Sequence, residues 1–425
     1  MNNRDTIYVY ADWHGLNGPL LMGLLYAENI RGSQVFSFEY DNEWLTTQSS
    51  QLLDPDLQFF SGPQYLNDEH KNNFSIFLDS SPDRWGRLLM QRREAALARL
   101  ENRNQKHLFE SDYLLGLYDG HRMGALRFKT DLNGPFLDDN EKFASPPWAK
   151  IRALEQISLK LEEENVVDDP EYTKWLNMLV APGSSLGGAR PKASIIDENK
   201  QLWIAKFPSK HDSSNMGAWE KVTNEMAKET GINIANSIAN IYSGHHHTYL
   251  TKRFDRTASG ERLHFSSAMT LLNHVDGDNY ATGASYLELV EFIQSNGARV
   301  NKDLEELWRR IVFSICVSNV DDHLRNHGFI LTEKGWILSP AYDINPVSTG
   351  TGLSLNISEN DNSLDLDLAL EVIEYFRINQ NKAIEIIQDI QQSVKNWRRL
   401  AKNYNIPRQE QELMANAFRQ SEKII

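Results

Sequence analysis

The apolar positions fall first into short β-prone stretches and later into helical spacing. Ile7–Ala11, Leu20–Tyr26 and Gln34–Tyr40 are strand-like runs broken by glycine-containing turns. A helical pattern then runs from about Arg84 to Asn104, with Ser81 as the expected N-cap and Pro82 at the first helical position. Arg92, Arg93, Arg99, Arg103 and Lys106 are interspersed there with Glu94 and Glu101, which reads as a solvated, salt-bridged face. Residues 131–148 carry Pro135, Pro146, Pro147 and a run of acids, and read as a linker or surface loop.

Helices are expected near 149–165 and 169–180, followed by a glycine-rich turn from Gly183 to Gly188. Lys192–Ile196 and Gln201–Phe207, joined by Asp197-Glu198-Asn199-Lys200, predict a hairpin with a polar turn. A helix over Trp219–Thr230 stops at Gly231, and strands follow near Ser237–Tyr242 and His247–Arg253. Beyond Arg256 the spacing is helical: Leu304, Leu307, Trp308, Ile311 and Ile315 share one face. Further helices are expected near 284–296, 364–376, 380–402 and 408–421, and no internal repeat is evident.

Composition narrows the class. A chain of 425 residues can bury more than one core. Its longest apolar runs, such as Pro19–Tyr26, are too short to span a bilayer, and the first residues lack the order of a signal peptide. The single cysteine, Cys316, lies in an apolar helical pattern and reads as a buried thiol, so a reducing, cytoplasmic setting is expected. Acids outnumber bases 58 to 44 with no long cationic block, which argues against nucleic acid as the main partner. A nucleotide, needing only a few placed groups, stays open.

The strongest chemical signal is Asn319-Val320-Asp321-Asp322-His323-Leu324-Arg325-Asn326-His327, followed by Ala341-Tyr342-Asp343-Ile344-Asn345-Pro346. Phosphoryl transfer needs a carboxylate to receive the acceptor's proton and hard oxygens for Mg²⁺. Asp321 to Asn326 has the D-x-x-x-x-N spacing of a kinase catalytic loop. Asp343 follows a short hairpin, Gly328–Leu331 and Trp336–Leu338, where a second metal-binding aspartate belongs. Alone, such a match is also met by a helix end and a polar turn. Ser184-Ser185-Leu186-Gly187-Gly188-Ala189-Arg190-Pro191-Lys192 is neither a Walker A loop nor a G-x-G-x-x-G fingerprint, yet its glycines let N–H groups approach phosphate. Lys206, among apolar neighbours in the following strand, is costly to bury without an anion. Glu225 on the next helix is its natural acidic partner, with Glu220 second. His245-His246-His247 cannot readily share one metal ion on a strand and reads as a loop or strand end.

Taken in order, Ser185–Lys192, Ile204-Ala205-Lys206-Phe207-Pro208, Arg253-Phe254-Asp255-Arg256, Asn319–Asn326 and Tyr342-Asp343-Ile344 resemble the HipA family of bacterial toxin kinases. Phe36–Asp41 and Leu78-Asp79-Ser80-Ser81-Pro82-Asp83-Arg84-Trp85-Gly86 extend the likeness over nearly the whole chain. The resemblance implies an α+β, two-lobed, protein-kinase-like fold with a β-rich N-terminal subdomain and an all-helical C-terminal lobe. The expected parts are 1–130 for the N-terminal subdomain, 131–148 for the linker, 149–255 for the N-lobe and 256–425 for the C-lobe.

It implies ATP and Mg²⁺ as cofactors, Asp321 as base, and Asn326 and Asp343 as metal ligands. Ser185, Gly187, Gly188, Ala189, Lys192, Lys206 and His323 would lie at the nucleotide, with Lys252 and Phe254 on the hinge beside the adenine. His323 reads independently as a residue orienting the loop backbone. Ser185 matches the loop serine that such kinases autophosphorylate, although Ser184 adjoins it. A protein substrate such as an aminoacyl-tRNA synthetase or other translation factor is implied. So is a helix-turn-helix antitoxin through which DNA is met only indirectly. Ala189-Arg190-Pro191-Lys192, Asp322 and Lys252 depart from the family's common residues. A catalytically silent corepressor or scaffold, and a small-molecule phosphotransferase, are the competing readings.

Overall fold

The computed structural model describes residues 4–47, 51–66, 68, 70–141, 144–163, 166–180 and 190–424. The chain folds as two compact units, Met1–Lys210 with Lys252–Ser266, and His211–Thr251 with Ser267–Ile425.

The first unit is built on an antiparallel sheet of β1 (Arg4–Ala11), β2 (Leu20–Ile30), β3 (Ser33–Tyr40), β4 (Gln64–Tyr65) and β5 (Leu126–Lys129), in the order β4-β3-β2-β1-β5. Alternation sends Ile7, Val9 and Ala11 of β1 and Phe36, Phe38 and Tyr40 of β3 into the core. The rings of Phe38, Phe74, Phe77 and Phe128 meet there at centroid distances of 5.6–6.5 Å. Gly23 of β2 has to be glycine, because a Cβ would stand 2.3 Å from the Glu39 carbonyl oxygen. Short helices α1 (Asn42–Thr47) and α2 (Ser75–Asp79) precede α3 (Arg84–Leu100).

The cap of α3 is Asp83, whose side chain accepts from Gly86 N at 2.8 Å. The expected cap, Ser81, instead donates its hydroxyl to the Phe77 carbonyl. Arg103 reaches Glu94 and Glu101, and Lys106 reaches Asp112 of α4 (Glu110–Leu115), so this end of the basic face is ion-paired. Within the 131–148 stretch, Leu137 bridges to Phe128 and Phe136 packs edge-on against Tyr10. Helices α5 (Ile151–Lys160) and α6 (Tyr172–Val180) follow, then the hairpin β6 (Lys192–Ile196) and β7 (Leu202–Lys206).

A buried charge cluster ties this unit together. Asp255 accepts from Arg253 at 2.8 and 2.6 Å, Arg256 at 2.6 Å and Gly124 N at 3.0 Å. Arg253 also donates to the His121 and Arg122 carbonyls. Burial pushes the Asp255 carboxyl up, but the two guanidiniums outweigh it and hold the group far below the usual carboxylate range. Thus Arg253-Phe254-Asp255-Arg256 clamps segments about 130 residues apart.

The second unit begins with α7 (Met216–Glu229), capped by Asn215, which accepts from Ala218 N. Gly231 follows its end at φ +78°. His247 is buried, with its ring against the Asn215 amide at 2.9 Å. Strands β8 (Ser237–Asn240) and β9 (Thr248–Lys252) pair antiparallel. The three-residue strand β10 (Phe265–Ser267) leads to α8 (Ala268–Leu271) and α9 (Tyr286–Asn296).

The centre of this unit is α10 (Val300–Val317). Leu304, Leu307, Trp308, Ile311 and Ile315 are all fully buried. Cys316 is buried with them, and burial pushes its thiol up to about 12. The hairpin β11 (Gly328–Thr332) and β12 (Gly335–Leu338) follows. The unit closes with α11 (Leu366–Glu371), α12 (Gln380–Lys395), α13 (Trp397–Asn403) and α14 (Arg408–Met414). Trp397 stacks on Phe418 at 4.6 Å, and Trp219 of α7 leans on both rings. Among the described residues no helix is long and apolar enough to cross a membrane.

Candidate active site

The site is assembled where α10 ends. Ser318 takes a left-handed conformation at φ +50°, which stops the helix and turns the chain into the loop Asn319–His327. The loop is then fixed from several sides. Ser354 Oγ donates to Val320 O at 2.8 Å, Tyr342 Oη donates to Arg325 O at 2.8 Å, and Arg325 pairs with Asp276. A single 3₁₀ turn, Leu324–Asn326, brings Asn326 back so that its Nδ2 donates to Asp321 O at 2.9 Å.

Asp322 is the loop's internal anchor. It is buried, accepts from Tyr286 Oη at 2.5 Å and Ser314 Oγ at 3.3 Å, and has His327 Nε2 2.9 Å away. That His327 contact lacks hydrogen-bond direction. Burial raises the Asp322 carboxyl, but His327 and the Tyr286 hydroxyl more than offset it and leave the group below its ordinary value.

Asp321 points the other way, into solvent. Its carboxyl is nonetheless raised: first because the surrounding protein partly withdraws it from water, then by the charges of Asp343 and Asp322. His323 and Arg325 act in the opposite direction and are outweighed. A solvent-open carboxylate with a raised pKa is suited to receive a proton.

Asp343 sits at φ +57°, a left-handed conformation that a non-glycine residue adopts only when its surroundings impose it. The flanking contacts do so. Thr223 Oγ1 donates to Ile344 O at 2.7 Å, Asn345 N donates to Asn319 Oδ1 at 3.1 Å, and Asn345 Nδ2 donates to Asp343 Oδ1 at 2.9 Å. Upstream, Arg310 of α10 donates to Ser339 O at 2.7 Å.

Asn326 supplies the feature most telling for a metal. Its Oδ1 is buried and has no hydrogen-bond partner. A buried amide oxygen left without a donor is costly unless something else occupies it. That oxygen and the Asp343 carboxylate are hard donors of the type Mg²⁺ prefers while it keeps several waters. Among the described residues there is no group of three or more His, Cys, Asp or Glu placed for a metal.

The remaining expected site residues lie as follows. Ser184, Ser185, Gly187, Gly188 and Ala189 fall outside the described residues. Lys192 and Lys206 face each other across β6 and β7 and are both buried; Lys192 Nζ is 2.7 Å from Asp83 Oδ2. Lys252 ends β9, and the Phe254 ring lies 5.7 Å from that of Phe265. His323 Nδ1 is buried and unpartnered, and its backbone N–H donates to Asp321 O. Glu225 accepts from the Tyr404 hydroxyl and lies 3.6 Å from Lys221, while Glu220 is buried. Nothing in the local sequence of Tyr286 or Ser314 marks either as a neighbour of Asp322.

The second unit's loop, metal-type oxygens and following hairpin define a protein of the kinase-like class. A family profile described as the HipA-like C-terminal domain matches residues 184–397, and the chain belongs to the HipA family. A chain of the solved HipA–HipB–operator DNA complex from the toxin–antitoxin system of Shewanella oneidensis MR-1 superposes with a TM-score of 0.63 at 18% identity. The superposition covers 97% of this chain and 95% of that one. The likeness establishes the α+β, kinase-like fold. By sequence the chain is 24% identical over 275 residues to the serine/threonine-protein kinase toxin HipA of Shewanella oneidensis. It is 27% identical over 186 residues to a Haemophilus influenzae protein that carries the name kinase. Those matches take in 57% and 39% of this chain, and span 60% and 53% of the relatives' own lengths.

Proposed function

We propose that this chain is an ATP-dependent protein kinase that phosphorylates serine or threonine hydroxyls. One juxtaposition carries the proposal: a solvent-open Asp321 with a raised pKa and, five residues on, a buried Asn326 oxygen with no donor. Asp321 accepts the hydroxyl proton as the acceptor oxygen bonds to the γ-phosphorus of ATP, while the bond from that phosphorus to the β–γ bridging oxygen breaks and ADP leaves. Its carboxylate can do so without moving, because Asp322 pins the loop from the opposite side through Tyr286 and Ser314. Asn326 and Asp343 would hold Mg²⁺, with Asn345 Nδ2 orienting the Asp343 carboxylate. When bound, the ion offsets the negative charge of the phosphates.

Family resemblance assigns the rest. Lys206 contacts the ATP phosphates. Gly187, Gly188, Ala189, Lys192 and His323 surround the nucleotide, and Lys252 and Phe254 flank the adenine. Ser185 is the autophosphorylation site. The HipB in the matched complex supports a helix-turn-helix antitoxin as partner, with operator DNA met through it. The acceptor is a protein, of which a translation factor such as an aminoacyl-tRNA synthetase is the leading example.

The test is calorimetric titration of ATP at a series of Mg²⁺ concentrations. Asn326→Ala should raise the Mg²⁺ needed for half-maximal tightening by at least the ~10–100-fold typical of losing a group that supports a metal. Asn326→Asp, which keeps an oxygen there, should remain near wild type. Identical Mg²⁺ dependence in Asn326→Ala and wild type would remove Asn326 from the metal site.

A further inference from the structure

The catalytic loop is braced by a residue that the mechanism above does not use. Arg419 lies in the 3₁₀ segment Ala415–Glu422, and its guanidinium forks between two other elements. Nη1 donates to Ser318 Oγ at 3.3 Å and to Asn416 O at 2.9 Å, and Nη2 donates to Gly350 O at 3.1 Å. Among the described residues its hydrogen-bond acceptors are all uncharged oxygens. Two fixed acceptors on separate elements suit arginine, because a planar fork reaches both at once and a single amine does not.

The two acceptors hold the residue that leads into Asp321. Ser318, the left-handed stop of α10, is fully buried. Its hydroxyl donates to Ala417 O at 2.7 Å, and its carbonyl accepts from Val347 N at 3.1 Å. Gly350 packs on Val320: a Cβ there would stand 2.2 Å from Val320 Cγ1, so a larger residue would push the two apart. Ser354 Oγ donates to Val320 O at 2.8 Å from the same 347–354 segment. Val320 is therefore fixed between Ser318 and that segment, and Arg419 ties the two together. Consecutive Cα atoms are ~3.8 Å apart, so a displaced Val320 carries Asp321 with it.

Docking of the 415–422 segment does not depend on this arginine. Ala417 is fully buried, and the Phe418 ring stacks on Trp397 at 4.6 Å and lies 6.1 Å from Trp219. Gln391 of α12 donates to Gln420 O at 3.2 Å and to Lys423 O at 2.8 Å. Asn416 Nδ2 also reaches the Ser348 carbonyl, but that bond is exposed to water. What Arg419 adds is a charge-assisted link from the end of α10 to the Gly350 carbonyl, and such bonds are stronger than neutral ones. Its work is thus directed at the loop rather than at the packing of the segment that carries it.

We propose that Arg419 is a positioning residue for phosphoryl transfer: it clamps Ser318 to Gly350 and so sets where Asp321 stands. The proposal rests on the kinase reading for its reaction, whereas the clamp itself is measured without it. Hydrogen–deuterium exchange with mass spectrometry compares full-length wild type with two variants. Arg419→Met keeps the aliphatic stem and removes the fork, and Arg419→Lys keeps the charge on a single amine. Calorimetry gives the affinity for Mg·ATP, and peptide mass spectrometry gives the rate at which saturating Mg·ATP phosphorylates the protein itself. In Arg419→Met the amides of 318–327 should exchange at least about tenfold faster, the effect of losing a charged hydrogen bond, while those of α12 and α13 match wild type. Phosphorylation should slow at least about tenfold, with Mg·ATP affinity within about twofold of wild type. Arg419→Lys should fall between the two on both readouts, and it carries the test if Arg419→Met does not fold. Unchanged exchange over 318–327 in both variants, or exchange raised equally in α12 and α13, would overturn the proposal. So would raised loop exchange with phosphorylation at the wild-type rate, or a slowed rate explained by weaker Mg·ATP binding. Loop exchange raised as expected, with no phosphate incorporated even by wild type, would uphold the clamp and count against the kinase reading alone.

Discussion

Replacing Asp255 with alanine should unfold the first unit at a markedly lower temperature. Asp255 is completely buried and is the shared acceptor for Arg253, Arg256 and the Gly124 amide. Arg253 is also shut off from water, at 0% side-chain exposure, and Arg256 nearly so, at 8%. Removing the carboxylate leaves two guanidiniums in a dry site with backbone carbonyls and the Met123 sulfur, but no counter-charge from Asp255, as partners. Breaking a buried ion pair from one side costs about 3–5 kcal/mol. For a unit of this size each kcal/mol moves the midpoint by ~2–4 °C, so a fall of about 6–20 °C is expected. The sign with pH follows from the depressed folded pKa. The contribution is complete above the ordinary carboxylate range and is lost only as pH falls through the folded value. Scanning calorimetry at pH 7 reads the effect, with Glu412→Ala as the contrast. Glu412 pairs with Arg398 where the side chains are 55% and 43% exposed, so its loss should cost only ~0–1 kcal/mol. A midpoint for Asp255→Ala within 2 °C of wild type would show that the cluster does not hold the unit together.

Three further outcomes follow from the same structure. His121 and His264 are buried, and burial lowers both to about 3. Each therefore stabilises the fold fully above ~6.5 and loses about 1.4 kcal/mol per pH unit below it, while buried Asp54, raised to about 6, returns part of that loss. Urea midpoints should fall between pH 6.5 and 5, with a shallower slope in His264→Phe; a flat wild-type profile would contradict the assignment. Tyr286→Phe removes the hydroxyl donated to Asp322 and should cost about 1.5–3 kcal/mol by urea unfolding; an unchanged midpoint would show that the anchor is dispensable. Because the Asp321 carboxyl is raised, phosphoryl transfer should decline with acidification at a pH above the usual carboxylate range, read from a kcat/KM profile.

Local features were readable from the sequence where the determinants are neighbours in the chain. The β6–β7 hairpin appears nearly where its two β-prone runs and polar turn place it, with the turn's Lys200 at φ +60°. The α7 helix starts at Met216, three residues earlier than the apolar spacing alone indicates, because Asn215 caps it. The expected helix over 380–402 is two helices, α12 and α13, broken at Asn396 where Trp397 turns onto Phe418. Asp83 displaced Ser81 as the cap of α3 because both are capping types two residues apart, and only the packed structure chooses between them.

The D-x-x-x-x-N spacing and Asp343 point to the loop after α10 and to the segment after the β11–β12 hairpin, elements that the structure has. What the sequence could not supply were partners set by long-range folding. Tyr286 lies 36 residues from Asp322, and the carbonyls held by Arg253 lie over 130 residues away. Asp322, a departure from the family's common residue, proves to be the buried anchor of the loop. No local pattern distinguishes it from its solvent-open neighbour Asp321.

The most direct test of the central claim is peptide mass spectrometry after incubation with Mg·ATP, on protein shown to start unmodified, comparing wild type with Asp321→Ala. One added phosphate on Ser185 in wild type, absent from the variant, is the expected result. Equal phosphorylation of both proteins would remove Asp321 from the chemistry, and none in either, with ATP bound, would contradict the kinase assignment.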